Sequence, residues 1–339
     1  VTKVLLTHLQ APGDTLVMTA VVRDLMRAHP GRFELYAHTG AMSLWDNNPY
    51  IRVDRALLRG HVPGVQYIRT DYGKAAALGR SSTRIHFIAG YHADLAAKLG
   101  VSIPFGDPEP DLHLAGAELT PFPDLPPRYW VINAGGKMDF PAKIGPTRTF
   151  RLAVDYLTKL GIPCVQSGTR ATVGSVDHWQ PELPGAIDFL ERTDIRGMIR
   201  LVQHADGVVT GISFPMHLAA ALGKPCVVIA GSREAWHWEG YDRRNPGIPN
   251  AERLRVPHRY LHNIGQLPCP GADFAGCWAN QVIGKPGQRS CRLPEEVEGQ
   301  WVPRCLAMIR PEDVIGSILS YYGDGTLAPI PGADLSVVA

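Results

Sequence analysis

The residues best suited to hold an anion lie between Gly207 and Gly231. An apolar run ends in the small-residue turn Thr210-Gly211-Ile212-Ser213, and Pro215, Met216 and His217 open the helix that follows. Lys224-Pro225 stop that helix before a second apolar run, Cys226 to Ala230. The free N–H groups of a first helical turn and the helix dipole attract negative charge. His217 adds a ring donor, and Thr210 and Ser213 add hydroxyls. Pro215 suits the first turn, where its missing N–H is not needed. The guest such a turn fits is the diphosphate of a nucleotide sugar. The plainer alternative for His217 is an ordinary helix histidine.

Four cysteines form a second constellation. Cys269, Cys277, Cys291 and Cys305 follow the spacing C-x7-C-x13-C-x13-C in a Gly/Pro-rich segment. Tetrahedral thiolate ligation of structural Zn or Fe is the chemistry that suits them, although the short C-x2-C knuckle is missing. Two disulfides, or free thiols, are the alternative. Cys164 and Cys226 sit inside apolar runs and read as core. Past the second run come Arg233-Glu234 and the aromatic stretch Trp236 to Tyr241. Those rings either stack on a base or sugar or pack an interface. Glu234 or Glu239 would accept from ribose hydroxyls.

The elements that must position these residues alternate. Val4-Leu5-Leu6 reads as a strand, Thr15 to His29 as a helix, and Phe33 to Ala37, Ile51 to Ala56 and Tyr67 to Arg69 as further strands. Tyr91 to Leu99 reads as helical. Tyr129 to Asn133 and Pro163 to Gln166 are strands, with helices over Phe150 to Leu160 and Asp194 to His204. This alternation predicts an α/β fold with mainly parallel sheets. The Pro-rich stretch 119–127 reads as a linker between a first domain, 1–118, and a second, 128–310, which holds the Cys-rich segment 265–305. A helix over 311–322 and a tail over 323–339 complete the chain. Two such units facing each other place a ligand at the carboxyl ends of their strands.

Composition sets bounds. The chain has 339 residues, 45% hydrophobic and 19% charged, which favours two folded domains over disorder. A net charge of +2 argues against nucleic acid as partner. No stretch matches a membrane span or a basic-then-apolar leader, so the expectation is a cytoplasmic protein, with peripheral membrane contact and oligomeric state left open.

Three motifs in order carry a resemblance: Gly13-Asp14 at a strand-to-helix turn, Asn133-Ala134-Gly135-Gly136 followed by Pro141-Ala142-Lys143, and Phe214 to Ala221. Together they resemble the heptosyltransferase family, glycosyltransferase family nine. The resemblance implies a GT-B fold of two Rossmann-like domains facing across a cleft, with a Cys-rich C-terminal insertion. It implies inverting transfer from a nucleotide-diphosphate sugar, typically ADP-heptose, to an acceptor hydroxyl, without a catalytic cofactor. The acceptor would bind the first domain and the donor the second.

The match assigns Asp14 as general base, where N-capping alone is the plainer reading. It assigns Lys143 to the leaving diphosphate, with Lys137, Arg148 and Arg151 as neighbours able to share that role. Thr210, Gly211, Ser213, Met216, His217 and Glu234 would contact the donor, and Gly13 and Gly135 would allow close backbone approach. A carboxylate at a helix start is expected to stay ionised. Ile212 and Phe214 depart from the family form, which has an acid before the Ser and a Gly after it. The last helix, by analogy with the fold, would return to the first domain.

The four cysteines resemble those of a branch that includes autotransporter heptosyltransferases with an iron-binding finger. The acceptor class is open among a glycan, a lipid-linked sugar, a protein and a small molecule, and His86, His92 and Asp94 are candidates by location. An epimerase or hydrolase on the same scaffold, or a non-catalytic nucleotide-sugar-binding protein, are the alternatives.

Overall fold

The computed structural model describes residues 1–52, 57, 62–70, 84–269, 276–284 and 288–331. Four parallel strands, β1 (Thr2–His8), β2 (Phe33–Thr39), β3 (Ile51–Arg52) and β4 (Val65–Arg69), form a first sheet in the order β3-β2-β1-β4. Residues 53–56 of the expected third strand lie outside the described residues. Val4, Leu5 and Leu6 are buried, as befits a parallel strand covered on both faces. Helix α1 (Pro12–Ala28) starts with Pro12 in its first turn, and α2 (Phe87–Leu99) ends at Gly100 in the left-handed region, φ 62°.

The second half runs β5 (Trp130–Asn133), β6 (Gly136–Lys137), α3 (Thr147–Lys159), β7 (Cys164–Gln166), β8 (His178–Trp179), β9 (Ile187–Asp188), α4 (Ile195–Gln203), β10 (Gly207–Thr210), α5 (Phe214–Leu222) and β11 (Cys226–Gly231). It continues through α6 (Trp236–Glu239), β12 (Arg259–His262), the hairpin β13 (Pro294–Val297) and β14 (Gln300–Pro303), α7 (Arg304–Ala307) and α8 (Pro311–Gly323). Six parallel strands order as β12-β11-β10-β5-β7-β9. Winding therefore reverses between β5 and β10, and a doubly wound sheet opens its ligand crevice at that point, beyond the strands' carboxyl ends. Strands β9 and β12 and the hairpin escape the sequence reading because they are short and polar, without an apolar alternation.

The apolar core does not stop at the junction of the halves. One cluster joins Val4, Leu16 and Tyr91 of the first half to Val208, Met216, Trp238 and Tyr241 of the second. Polar ties add to it: Gly247 O accepts from His86 N at 2.8 Å, and Gly106 O from Asn250 Nδ2 at 2.9 Å. Arg255 pairs with Glu109 at 2.9 Å. The Pro-rich stretch is strapped to α4, where Arg200 donates to Thr120 O and Pro121 O, both at 2.8 Å.

A second cluster lies on the other face of the larger sheet, where Trp130, Phe150 and Val154 meet Val314, Ile318 and Tyr321. This packing corrects the expectation for the last helix. The apolar stripe of α8 covers α3 and β11, and Tyr321 Oη donates to Pro257 O at 2.8 Å, so it stays on the second half. Nor does the tail leave the surface at once. Arg128 donates to Ala328 O at 2.8 Å and Pro329 O at 2.9 Å, and residues 332–339 lie outside the described residues. No described helix is long and apolar enough to cross a membrane.

Candidate active site

The first turns of α1 and α5 meet at the junction of the halves. A Cβ on Gly13 would lie 2.9 Å from His217 Cδ2 and 3.6 Å from Phe214 Cα. Gly13 is therefore the residue that lets two helix N-termini, each carrying positive dipole charge, approach closely. The short turn Pro141–Lys143 closes the third side. A Cβ on Gly211 would stand 3.2 Å from Lys143 O.

Asp14 is half-buried in the first turn of α1. Its Oδ2 accepts from Ala11 N at 3.1 Å, so Asp14 supports the helix start from its third position, while Ala11 holds the N-cap position itself. Burial raises its pKa to about 6, against the opposing pull of Lys143 and Lys137. Desolvation outweighs the helix start and lifts the pKa, yet a carboxyl group titrating at about 6 is still mostly ionised at neutral pH.

At the start of α5, Ser213 does not cap the helix. Its Oγ turns to Thr210 Oγ1 at 2.9 Å, so the side chain leaves the first-turn N–H groups to another acceptor. His217 is 4% exposed. Burial, followed by the positive surroundings of His86 and Lys143, holds its pKa well below the ordinary value, so the ring is neutral. Tyr241 Oη lies 2.9 Å from His217 Nδ1. Burial keeps that phenol protonated; when it donates to Nδ1 the ring carries its N–H on Nε2, and with the roles reversed Nε2 is an acceptor.

Lys143 Nζ lies 2.8 Å from Glu234 Oε1, and Arg233 bonds the same oxygen. Burial pushes the Glu234 pKa up, but Lys143 and Arg233 more than offset it and hold the carboxylate below its ordinary range. Glu239 shows the opposite outcome. Burial and the neighbouring Glu234 charge raise it well above the usual range, so it stays protonated, with Oε2 3.8 Å from His217 Nε2. Sequence reasoning missed this ionic network, because Lys143 comes from a turn far along the chain from the 233–239 segment that carries Arg233, Glu234 and Glu239.

Several expected contacts are placed elsewhere. Met216 is fully buried in the shared core. The missing side chain of Gly135 makes room for Trp179 O and Gln180, which accepts from Gly135 N at 2.8 Å. Glu234 is engaged by cations and not presented to a ribose. Arg148 and Arg151 pair with Glu298, at 3.5 and 2.8 Å. His92 bonds Asp24 at 2.9 Å, Asp94 pairs with Lys98 at 2.7 Å, and His86 caps α2. Trp238 and Tyr241 pack the junction, Trp238 with Phe87 at 5.0 Å between ring centroids.

Cys269, Cys277, Cys291 and Cys305 all border one cavity of about 110 Å³, beside Arg233, Arg292 and Arg304. All six cysteines are free thiols. Burial pushes Cys305 up to about 12. Among the described residues no group of three or more His, Cys, Asp or Glu is placed to hold a metal ion.

Residues 86–259 match the family model of glycosyltransferase family 9 (heptosyltransferase). No curated protein matches the chain in sequence. Among solved structures it is similar to the iron-containing dodecameric glycosyltransferase TibC from enterotoxigenic E. coli H10407, with a TM-score of 0.62 at 17% identity over 95% of this chain and 76% of TibC. The complex of TibC with ADP-D-β-D-heptose gives 0.61 at 16%, over the same shares of each chain. E. coli ADP-heptose LPS heptosyltransferase II gives 0.53 at 14%, over 96% of this chain and all of that one. These likenesses establish the GT-B arrangement of two Rossmann-like units. The matched segment covers more than half of the 339 residues, and the chain belongs to glycosyltransferase family 9, a family of glycosyltransferase enzymes.

Proposed function

We propose that this enzyme transfers heptose from ADP-heptose to an acceptor hydroxyl with inversion at the anomeric carbon. The observation that carries this reading is the meeting of α1 and α5, which sets Asp14 beside a helix start suited to a diphosphate. In the related fold, TibC is solved with ADP-D-β-D-heptose. The acceptor oxygen attacks the anomeric carbon and passes its proton to Asp14. The bond from that carbon to the diphosphate breaks, and its electron pair stays on the phosphate oxygen. Lys143, His217 in its Nε2–H form, the hydroxyls of Thr210 and Ser213 and the backbone at Gly211 face the charge that develops there. One displacement from the opposite face inverts the centre. An Asp14 pKa of about 6 matches a general base working near neutral pH.

No catalytic cofactor is needed on this reading. The four thiols that border one cavity are chemically a donor set for structural Zn or Fe, which would cross-link the 265–305 segment to itself. Free thiols suit a reducing compartment, and we place the reaction in the cytoplasm. The acceptor is a hydroxyl of a glycan, a lipid-linked sugar, a protein or a small molecule.

The test is Asp14→Asn. The variant is expected to bind ADP-heptose with wild-type affinity in calorimetry and to lose at least about 10²-fold in transfer, as for removal of a general base. Transfer near the wild-type rate would remove Asp14 as base. Conversion of ADP-heptose with every acceptor withheld would favour the hydrolase or epimerase alternative.

A further inference from the structure

Lys143 has a counter-ion before any ligand arrives. The lysine side chain is 29% exposed, while its partner Glu234 is 1% exposed. The two cations on Glu234 differ in freedom. Arg233 is buried, bonded to Ala279 O and to Asn280 Oδ1, and stands 5.8 Å from the centre of the Trp278 ring. Lys143 is a compact charge on a flexible four-carbon stem. Glu234 Oε2 is buried without a hydrogen-bond partner.

Asp14 and Glu239 also lie within electrostatic reach of the Lys143 ammonium, and Lys137 acts on Asp14 from β6. A diphosphate seated on α5 thus enters beside three carboxyl groups. Lys143, a cation able to meet it by a side-chain rotation, is already committed to Glu234.

We propose that Glu234 is a positioning residue that parks Lys143 in the free enzyme and yields it to the diphosphate of the donor, so that donor binding exchanges one anionic partner for another. This rests on the reading of Lys143 as the diphosphate cation. Arg233 stays on Glu234 throughout, so the exchange does not strand a buried charge. When the nucleoside diphosphate leaves, Lys143 has an anion to return to, which eases departure. The exchange lowers net affinity for donor and product alike.

The measurement is calorimetric binding of ADP and of AMP to the full chain and to Glu234→Gln, which keeps an acceptor for Arg233 and removes the anion. ADP is expected to bind Glu234→Gln about tenfold more tightly, the scale of one charge-assisted hydrogen bond. AMP affinity should change by less than about twofold, and the gain for ADP should vanish in a Lys143→Ala background. A Glu234 that merely supports the loop predicts the opposite sign, with weaker binding of both nucleotides.

Equal or weaker ADP binding by folded Glu234→Gln overturns the exchange. Should that variant not fold, Glu234→Asp keeps the charge on Arg233 and draws it back from Lys143. It should shift ADP affinity in the same direction, and a shift the other way overturns the proposal. Weakened ADP binding by Lys143→Ala without a gain in the Glu234 variants overturns the exchange alone. Unchanged binding by Lys143→Ala overturns the diphosphate reading itself, and the exchange with it.

Discussion

Asp14 shows how one side chain serves two purposes. One carboxylate oxygen accepts from Ala11 N at the start of α1, and burial tunes the group to a pKa of about 6. Two consequences follow for pH. Transfer needs the ionised form, so kcat/KM should rise with pH through about 6 and level off above 7. Stability should move the other way. Folded Asp14 holds its proton more tightly than the unfolded chain does, so its burial is tolerated below about 4 and opposes folding as pH rises through 6. Asp14→Asn should therefore be the more stable protein at pH 8, by ~2 kcal/mol in urea unfolding, and the gain should fade toward pH 4. A pH-independent difference would show that the carboxyl is not desolvated. The sequence exposed Asp14 as a cap or a base, but its poised state depends on walls from the other half of the chain.

At the scale of elements, the α5 unit was legible because its parts are local. An apolar strand, a small-residue turn, an early Pro and a left-handed Gly223 stop, φ 63°, follow one another in the chain. The secondary structure of the Cys-bearing segment was not. Its hairpin turns on Glu298 and Gly299, both at positive φ, and its strands are mixed polar and aromatic, so neither period shows. Three of the four thiols lie in the connection between β12 and β13 and Cys305 lies in α7, and folding brings all four to one cavity. If they form the structural site, purified protein should carry about one Zn or Fe per chain in elemental analysis, and Cys291→Ser should lose it along with ~5 °C or more of Tm. Metal-free protein whose Tm ignores both the substitution and chelator would exclude the site.

For the molecule as a whole, two doubly wound sheets need not mean two independent folding units. The apolar cluster runs through α1, α2, α5 and α6 without a break. Arg255 fastens the junction from three sides, reaching Glu109, Ala220 O and Ala221 O at 2.9, 3.3 and 2.7 Å. A shared core of this kind couples the halves, so scanning calorimetry should give one cooperative transition with matching calorimetric and van't Hoff enthalpies. Two resolved transitions would mean that the halves unfold separately and the junction is a docked contact.

By itself the sequence determined what depends on neighbours along the chain. Strand–turn–helix order, the small residues at Gly13 and Gly211, the early Pro of α1 and α5 and the three ordered motifs all lie within short windows, where periodicity and turn chemistry act. It also carried the family and the fold that goes with it. The tertiary structure decided what depends on distance through space. It made Met216 core, turned Glu234 from a ribose contact into the counter-ion of Lys143, and gave Gly135 a neighbouring loop to accommodate. It paired Tyr241 with His217 and kept the last helix on the second sheet. The physical reason is that charge, solvation and hydrogen bonding at a buried junction are set by every chain segment meeting there, and no one of those segments encodes the others.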